Sequence, residues 1–193
     1  RKRSRMTLFT LGLNHKTAPV ELRERLTFGP DVIAGALRSL RQQPGVDEAL
    51  ILSTCNRTEI YAALEGDARS QIRQWLSDFH GLPRDSLSPY LYDHQDLAGV
   101  QHLLRVSSGL DSMVLGEPQI LGQVKTAFQT ARDSGAARKL LCRLFQHSFT
   151  VAKQVRTDTA IGNNPVSVAF AAVSLARQIF SDLRDQTALL IGA

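Results

Sequence analysis

The segment Ala49–Leu64, ALILSTCNRTEIYAAL, decides the fold prediction, because two apolar runs in it flank a short polar turn. Each run has the length and apolar content of a buried strand, so the segment predicts two consecutive strands joined by that turn. Cys55 lies at the centre of the turn and is one of only two cysteines in the 193 residues. The position of this thiol makes the turn the first candidate for a functional site.

The residues on either side of this segment predict an α+β domain. Residues 7–14 are typical of a buried strand, and residues 29–45 predict a short helix that ends before a Pro-Gly pair. Residues 68–83 predict a second helix, and residues 88–93 a short fourth strand. The order strand, helix, strand, strand, helix, strand predicts a ferredoxin-like split βαββαβ unit with a mostly antiparallel sheet.

Helical periodicity dominates after this unit. It predicts four helices, over residues 96–112, 118–135, 137–159 and 165–183. The last seven residues, TALLIGA, instead predict a buried strand that runs into a glycine turn. The chain is thus expected to have four parts. They are a basic extension over 1–5 ahead of Met6, which is at or close to the natural start, a domain over 6–160, a connecting helix over 161–186, and the start of another domain over 187–193.

The net charge of +5 says little about binding partners. Four basic residues precede Met6, and without them 19 basic side chains face 18 acidic ones. Residues 136–157 are a local exception, with five basic side chains and no acidic one. This stretch is either a phosphate-binding patch or the solvated face of an amphipathic helix. The sequence leaves both interpretations open.

Several classes of protein are disfavoured by what the sequence lacks. No apolar run approaches the ~20 residues of a membrane span, and no signal peptide is recognisable, so we expect a cytoplasmic location with no membrane contact. Cys55 and Cys142 are too far apart for a metal-binding pair, and no His, Cys or acidic residues repeat at ligand spacing. We therefore expect neither a disulfide nor a metal site.

The polar setting of Cys55 favours chemistry, although it does not establish it. A thiol attacks as the thiolate, and a nearby guanidinium such as that of Arg57 stabilises an anion. A structural or fortuitous thiol remains an alternative at this position. Cys142, on an apolar-flanked helix, is expected to be a small buried hydrophobe.

Four segments resemble one known family. GLNHKTAPVELRERLTF, LSTCNRTEIY, SSGLDSMVLGEPQILGQVKTAF and AVSLARQIF are similar, in the same order, to segments of the glutamyl-tRNA reductases of bacterial tetrapyrrole (heme) biosynthesis. The resemblance implies an α+β catalytic domain followed by an NADPH-binding Rossmann domain and a C-terminal dimerisation domain. This chain would cover only the first domain and the opening strand of the second, and would lack reductase activity by itself.

The resemblance also implies a reaction. A cysteine thiolate attacks the ester of glutamyl-tRNA(Glu), and hydride from NADPH reduces the resulting thioester to glutamate-1-semialdehyde. Cys55 matches the nucleophile, and His102 matches a position regarded as important for activity, as a proton donor or base. Arg57 would hold the substrate carboxylate, for which a guanidinium is suited. Gly192 would be the first glycine of the cofactor's phosphate-binding turn.

The remaining matches describe the substrate site and the partners. Thr54 and Asn56 complete the substrate loop with Arg57. The glutamate pocket would be lined by Ser112, Glu117, Pro118, Gln119 and Gln123. The expected partners are glutamyl-tRNA(Glu), a second copy in a homodimer, and either the next enzyme of the pathway or a regulatory protein.

Two other functions remain open at this stage. One is a noncatalytic RNA-binding or regulatory-interaction module that acts through the basic helix. The other is a thiol esterase or acyltransferase, which would use Cys55 but pass the acyl group to water or to another nucleophile.

Overall fold

A four-stranded antiparallel sheet forms the centre of the computed structural model, which describes residues 6–162 and 168–180 together with residues 182, 186, 187 and 189. The spatial order of the strands is β2-β3-β1-β4, and each neighbouring pair is antiparallel. The predicted mixture of helices with an antiparallel sheet is therefore confirmed. The strands are β1 (Met6–Asn14), β2 (Val46–Ser53), β3 (Arg57–Glu65) and β4 (Tyr92–Gln95).

Helices surround the sheet. They are α1 (Val20–Arg25), α2 (Pro30–Arg41), α3 (Arg69–His80), α4 (Arg84–Leu87), α5 (Asp96–Ser107), α6 (Gln119–Asp133), α7 (Lys139–Asp158) and α8 (Val168–Ile179), with 3₁₀ turns at Ser88–Tyr90 and Ala160–Gly162. Both α2 and α6 contact β2, α5 contacts β1 and β4, and α7 contacts β2 and β3. Eight consecutive residues of β3 are buried, so its two faces are both covered.

Some elements differ from the sequence prediction. The strand expected over 88–93 begins only at Tyr92, because Ser88–Tyr90 form a 3₁₀ turn around a proline, which lacks the N–H that a strand ladder uses. The helix expected to reach residue 112 ends at Ser107. Helix α1 was not predicted. Most of the strand predicted over 187–193, including Gly192, lies outside the described residues.

The first turn of α7 is fixed to β2 by a buried carboxylate. Glu48 is 2% exposed and accepts hydrogen bonds from the backbone N–H groups of Arg138, Leu140 and Leu141, at 2.8, 2.8 and 2.9 Å. The first N–H groups of a helix have no partner within it, and the helix dipole favours negative charge there. Glu48 therefore serves as a long-range cap that holds α7 against the sheet.

Candidate active site

The turn between β2 and β3 is a closed three-residue loop that presents a thiol. The N–H of Thr54 donates to the carbonyl of Arg57 at 2.8 Å, and Thr54 Oγ1 accepts from the N–H groups of Asn56 and Arg57 at 3.2 and 3.1 Å. These bonds occupy the polar groups of the turn, as in other Ser/Thr turns. Cys55 lies at the tip and is exposed, whereas Cys142 is partly buried on α7 against the core.

Arg23 of α1 and His15, which follows β1, hold this loop from outside. Arg23 Nη1 donates to the carbonyl of Cys55 at 2.7 Å and to Asn56 Oδ1 at 3.1 Å. The N–H of His15 donates to the carbonyl of Asn56 at 2.9 Å. Sequence reasoning did not identify Arg23, and its membership of the segment GLNHKTAPVELRERLTF was the one available signal.

Arg57 is a buried cation next to the thiol loop. Its side chain is 2% exposed, and Nη1 donates to Glu59 Oε1 at 2.7 Å. Nη2 donates to the carbonyl of Asp111 at 2.6 Å and to Asp111 Oδ2 at 3.3 Å. Burial lowers the pKa of Arg57, but the charge of Glu59, the neighbouring Tyr92 and Tyr61 and the hydrogen bond to Glu59 together outweigh burial, so the pKa lies above its ordinary value. The guanidinium is therefore fixed and charged.

Glu59 is the centre of the polar network behind Arg57. It is completely buried, and its Oε1 accepts from Tyr92 at 2.5 Å and lies 2.8 Å from His102 Nε2, while Oε2 accepts from Tyr61 at 2.5 Å. Burial raises the pKa of Glu59, but the hydrogen bond with His102 and the charge of Arg57 outweigh it, so the pKa lies well below its ordinary value. An ionised carboxylate only accepts hydrogen bonds, so His102 Nε2 carries the proton.

The network fits because the strand opposite Glu59 has a glycine. Gly12 pairs with Glu59 on one side of β1 and with Tyr92 on the other. A Cβ atom at Gly12 would lie 2.7 Å from Glu59 Cγ, 2.9 Å from the carbonyl oxygen of Thr58 and 3.2 Å from Tyr92 Cζ. The absence of a side chain there lets the carboxylate and the phenol meet across β1.

The connection from α5 to α6 brings a second group of residues to the thiol loop. It is closed by a hydrogen bond of 2.9 Å from the N–H of Gly116 to the carbonyl of Gly109, both of which have positive φ. A Cβ atom at Gly116 would lie 2.6 Å from Ile161 Cγ1. Arg156 Nη2 donates to the carbonyls of Gly116 and Glu117 at 3.0 and 2.7 Å, which fixes the end of the loop.

The two loops and the start of α6 enclose one narrow pocket. Eight of the predicted catalytic and substrate-binding residues line it: Thr54, Cys55, Asn56, Arg57, Ser112, Glu117, Gln119 and Gln123. Met113 and Ile120 complete the lining. The hydroxyl oxygen of Ser112 is buried there and has no hydrogen-bond partner among the residues that the structure describes. An unpartnered buried polar group of this kind is suited to receive a ligand.

The other predicted site residues lie elsewhere. Pro118 is the N-cap residue of α6 and is exposed beside the pocket. His102 does not line the pocket, because its Nε2 is directed to Glu59. Gly192 lies outside the described residues. The buried contacts that Glu59 and Asp111 make with Arg57 were not predicted, because their sequence neighbours give no sign of them.

Two kinds of feature are absent from the described part of the chain. Among those residues, no group of three or more His, Cys, Asp or Glu side chains is arranged to hold a metal ion. No described helix is long and apolar enough to cross a membrane.

Comparison with known proteins identifies the family. The family model for the N-terminal domain of glutamyl-tRNA(Glu) reductase matches residues 11–159. Glutamyl-tRNA reductases of Alkalilimnicola ehrlichii and Chromohalobacter salexigens are 59% and 56% identical over 97% of this chain, which spans 42% and 44% of their lengths. The solved glutamyl-tRNA reductase of Methanopyrus kandleri covers 89% of this chain with 32% identity and a TM-score of 0.72, and this chain covers 39% of it. The chain belongs to the glutamyl-tRNA reductase family.

Proposed function

We propose that this chain supplies the thiol and the substrate pocket for NADPH-dependent reduction of glutamyl-tRNA(Glu) to glutamate-1-semialdehyde. The observation that carries the proposal is the position of Cys55, an exposed thiol at a rigid hairpin tip. It opens into the same pocket as the unpartnered hydroxyl of Ser112 and the amides of Gln119 and Gln123. A nucleophile next to hydrogen-bonding groups suits attack on an acyl ester.

In the proposed reaction, the thiolate sulfur of Cys55 forms a bond with the ester carbonyl carbon. The bond from that carbon to the ribose oxygen of the RNA then breaks, and the released oxygen takes up a proton. The pocket's amide and hydroxyl groups provide donors for the negative charge that develops on the carbonyl oxygen. NADPH would supply the hydride that reduces the thioester, and its predicted contact, Gly192, lies outside the described residues.

Arg57 gives the pocket its selectivity for a side-chain carboxylate in this proposal. Both terminal nitrogens already have partners, but the contact with Asp111 Oδ2 is the longest of them, at 3.3 Å. Asp111 also accepts from Lys16 Nζ at 2.5 Å, and these contacts hold its pKa below the ordinary value despite burial. We infer that a substrate carboxylate replaces the Asp111 side chain at Arg57.

His102 acts on the site through Glu59 in this proposal. Its Nε2–H is used by the carboxylate that also holds Arg57, so it fixes the position of the guanidinium. The role of His102 as a proton donor or base, which the resemblance implies, stays a prediction. Its other ring nitrogen is the atom available for that task once Nε2 is occupied.

Two broader proposals concern the class of the fold and the other domains of the enzyme. The strand order β2-β3-β1-β4 with antiparallel pairing supports a ferredoxin-like split unit. We also propose that, in the longer relatives, the parts that this chain does not cover contain the NADPH-binding and dimerisation domains. Contacts with a second copy, with the next enzyme of the pathway or with a regulatory protein would then involve regions beyond this chain.

A noncatalytic RNA-binding module is the second candidate, and one surface favours it. A groove of ≈ 470 Å³ between α6 and α7 is lined by Lys125, Lys153 and Arg156, and none of the described residues that line it is acidic. Such a groove is suited to the phosphates of an RNA backbone. The same surface is also compatible with the reductase, whose substrate is itself an RNA.

Incubation of this chain with tRNA charged with labelled glutamate separates the candidates. The proposed function predicts release of glutamate that depends on Cys55, through slow hydrolysis of the thioester, and loss of that release in Cys55→Ser. A hydroxyl is a far weaker nucleophile at neutral pH. Binding of charged tRNA with no release above the uncatalysed rate would favour the module. Rapid multiple turnover without NADPH would instead favour a thiol esterase.

A further inference from the structure

Lys16 connects the segment after β1 to the loop that carries Ser112. Its Nζ donates to Asp111 Oδ1 at 2.5 Å, a contact between residues 95 positions apart in the chain. The backbone N–H of Lys16 donates to Asn14 Oδ1 at 2.9 Å, so the start of the side chain is fixed next to β1. The side chain is 56% exposed, and the reaction proposed above gives it no part. Its ammonium therefore lies at the solvent side of the site, in contact with the loop.

Asp111 divides its carboxylate between two cations. Oδ1 accepts from Lys16, whereas Oδ2 accepts from Arg57 Nη2 at the longer distance of 3.3 Å. The backbone carbonyl of Asp111 accepts from the same nitrogen at 2.6 Å, and this contact does not need the side chain. A rotation of the Asp111 side chain towards Lys16 would therefore free a hydrogen-bonding position on the guanidinium, while the loop stays attached to Arg57.

The pocket at Arg57 is closed in this structure. Its volume of ≈ 40 Å³ is close to the ~30 Å³ that one water molecule occupies in the liquid, so a glutamyl side chain needs a group to move. Asp111 directly precedes the pocket residue Ser112, and its side chain makes the longest of the hydrogen bonds that Arg57 donates. Its carboxylate also has the charge and the acceptors of a glutamyl side chain. Asp111 is therefore the group that such a ligand displaces most readily.

We propose that Asp111 is an internal competitor for the substrate carboxylate at Arg57, and that Lys16 holds Asp111 when the substrate displaces it. This inference rests on the proposed function, since it assumes that Arg57 binds the glutamyl side chain. The displacement exchanges one carboxylate for another, so the charge of Arg57 stays balanced. Lys16 keeps the displaced carboxylate paired, and this avoids the cost of leaving a partly buried charge without a partner.

The competition separates a glutamyl group carried on RNA from free glutamate. Both ligands must displace Asp111, and both lose the same free energy by doing so. Free glutamate has only the pocket to compensate for this loss, whereas the RNA of an aminoacyl ester supplies further contacts away from the reacting atoms. Asp111 therefore lowers the affinity of the pocket for small glutamate-like molecules and keeps Arg57 available for the ester.

The test measures how well small ligands protect Cys55 from alkylation by iodoacetamide, followed by the mass of the peptide that contains Cys55. The probe is the α-amide of glutamate, which has a free side-chain carboxylate, and the control ligand is glutaminamide, which has none. We expect Asp111→Asn to bind the probe about threefold to tenfold more tightly than the wild type, because a neutral amide competes less well for a guanidinium than a carboxylate does. Glutaminamide should give no protection at the concentrations that suffice for the probe.

Lys16→Met keeps the length of the side chain but removes its charge. We expect it to weaken probe binding about twofold to fivefold, the effect of one exposed ion pair, and we expect Lys16→Arg to bind like the wild type. In the Asp111→Asn background, Lys16→Met should change binding by less than about twofold, since no displaced carboxylate remains to be held. The matched control is Lys139→Met, in the first turn of α7, which is exposed, does not line the pocket and should bind the probe like the wild type.

Four results would overturn this inference. They are probe binding to Asp111→Asn that is no tighter than to the wild type, an equal effect of Lys16→Met in both backgrounds, equal protection by glutaminamide, and no protection by the probe in any variant. Lys16→Met and Lys16→Arg change only an exposed side chain, so they test the inference even if Asp111→Asn does not fold. Failure of the proposed function is distinguishable, because glutamyl-tRNA would then leave no acyl group on Cys55 while the probe still protects the thiol.

Discussion

Replacing Glu59 by glutamine tests whether the buried network is held together by charge. The substitution preserves the shape of the side chain but removes the negative charge that faces Arg57. It also replaces one of the two carboxylate oxygens by an NH2 group. That group would face donors, because four side chains direct polar hydrogens at the Glu59 oxygens. Removing one partner of a buried ion pair typically costs ~3–5 kcal/mol. Because Asp111 still contacts Arg57, we expect the lower end, about 3 kcal/mol.

The assay is urea denaturation of the wild type and the variant at several pH values. The pKa of Glu59 is lower in the folded protein than in the unfolded chain, where it is about 4.3. As the pH falls below about 5, the unfolded chain takes up the proton first and the free energy of unfolding decreases. Glu59→Gln lacks this contribution, so the difference between the two proteins should shrink as the pH falls.

The matched control is Glu21→Gln, on the exposed surface of α1. It should change the free energy of unfolding by no more than about 0.5 kcal/mol. A loss below about 1 kcal/mol in Glu59→Gln, with no change of the difference between pH 7 and pH 3, would refute an ionised Glu59 at the centre of the network.

Three further predictions concern other parts of the site and its support. Arg57→Lys keeps the charge but should lower the affinity for glutamyl-tRNA about tenfold, because one ammonium cannot reproduce hydrogen bonds worth ~1.5–3 kcal/mol each. Equal KM values of the wild type and the variant for glutamate release would contradict this prediction. Gly12→Ala should lower the free energy of unfolding, measured by urea denaturation, by ~1–3 kcal/mol, since its Cβ overlaps the side chain of Glu59. An unchanged free energy of unfolding would show that the strands adjust freely. Glu48→Gln should lower the free energy of unfolding by about 2 kcal/mol and speed amide hydrogen exchange in the first turn of α7. Equal exchange rates in the wild type and the variant would show that this cap is dispensable.

The sequence predicts the parts of the site that depend on local pattern. The hairpin around Cys55 follows from two apolar runs and a polar turn, and the N-terminal residues of α6 follow from helical spacing after Pro118. The resemblance then supplied Ser112 and Glu117, which the structure places in the same pocket.

The network behind Arg57 could not be predicted, because it depends on tertiary structure. Glu59 meets Tyr92 only because β1 lies between them in a register that places Gly12 opposite both. Asp111 reaches Arg57 across 54 residues of chain, from within the loop that the hydrogen bond between Gly109 and Gly116 closes. Nothing in the neighbouring residues records such contacts, just as the contact of Arg23 with the thiol loop has no local pattern.

Detection of an acyl group on Cys55 tests the central claim most directly. Wild-type chain, Cys55→Ser and Cys142→Ser should each be mixed with glutamyl-tRNA, quenched in acid and analysed by intact mass and peptide mapping. The account predicts a glutamyl adduct on the wild type and on Cys142→Ser, located at Cys55, released by hydroxylamine and absent from Cys55→Ser. An adduct that persists in Cys55→Ser would contradict the account. So would the absence of an adduct from all three proteins while Cys55→Ser deacylates the charged tRNA as fast as the wild type.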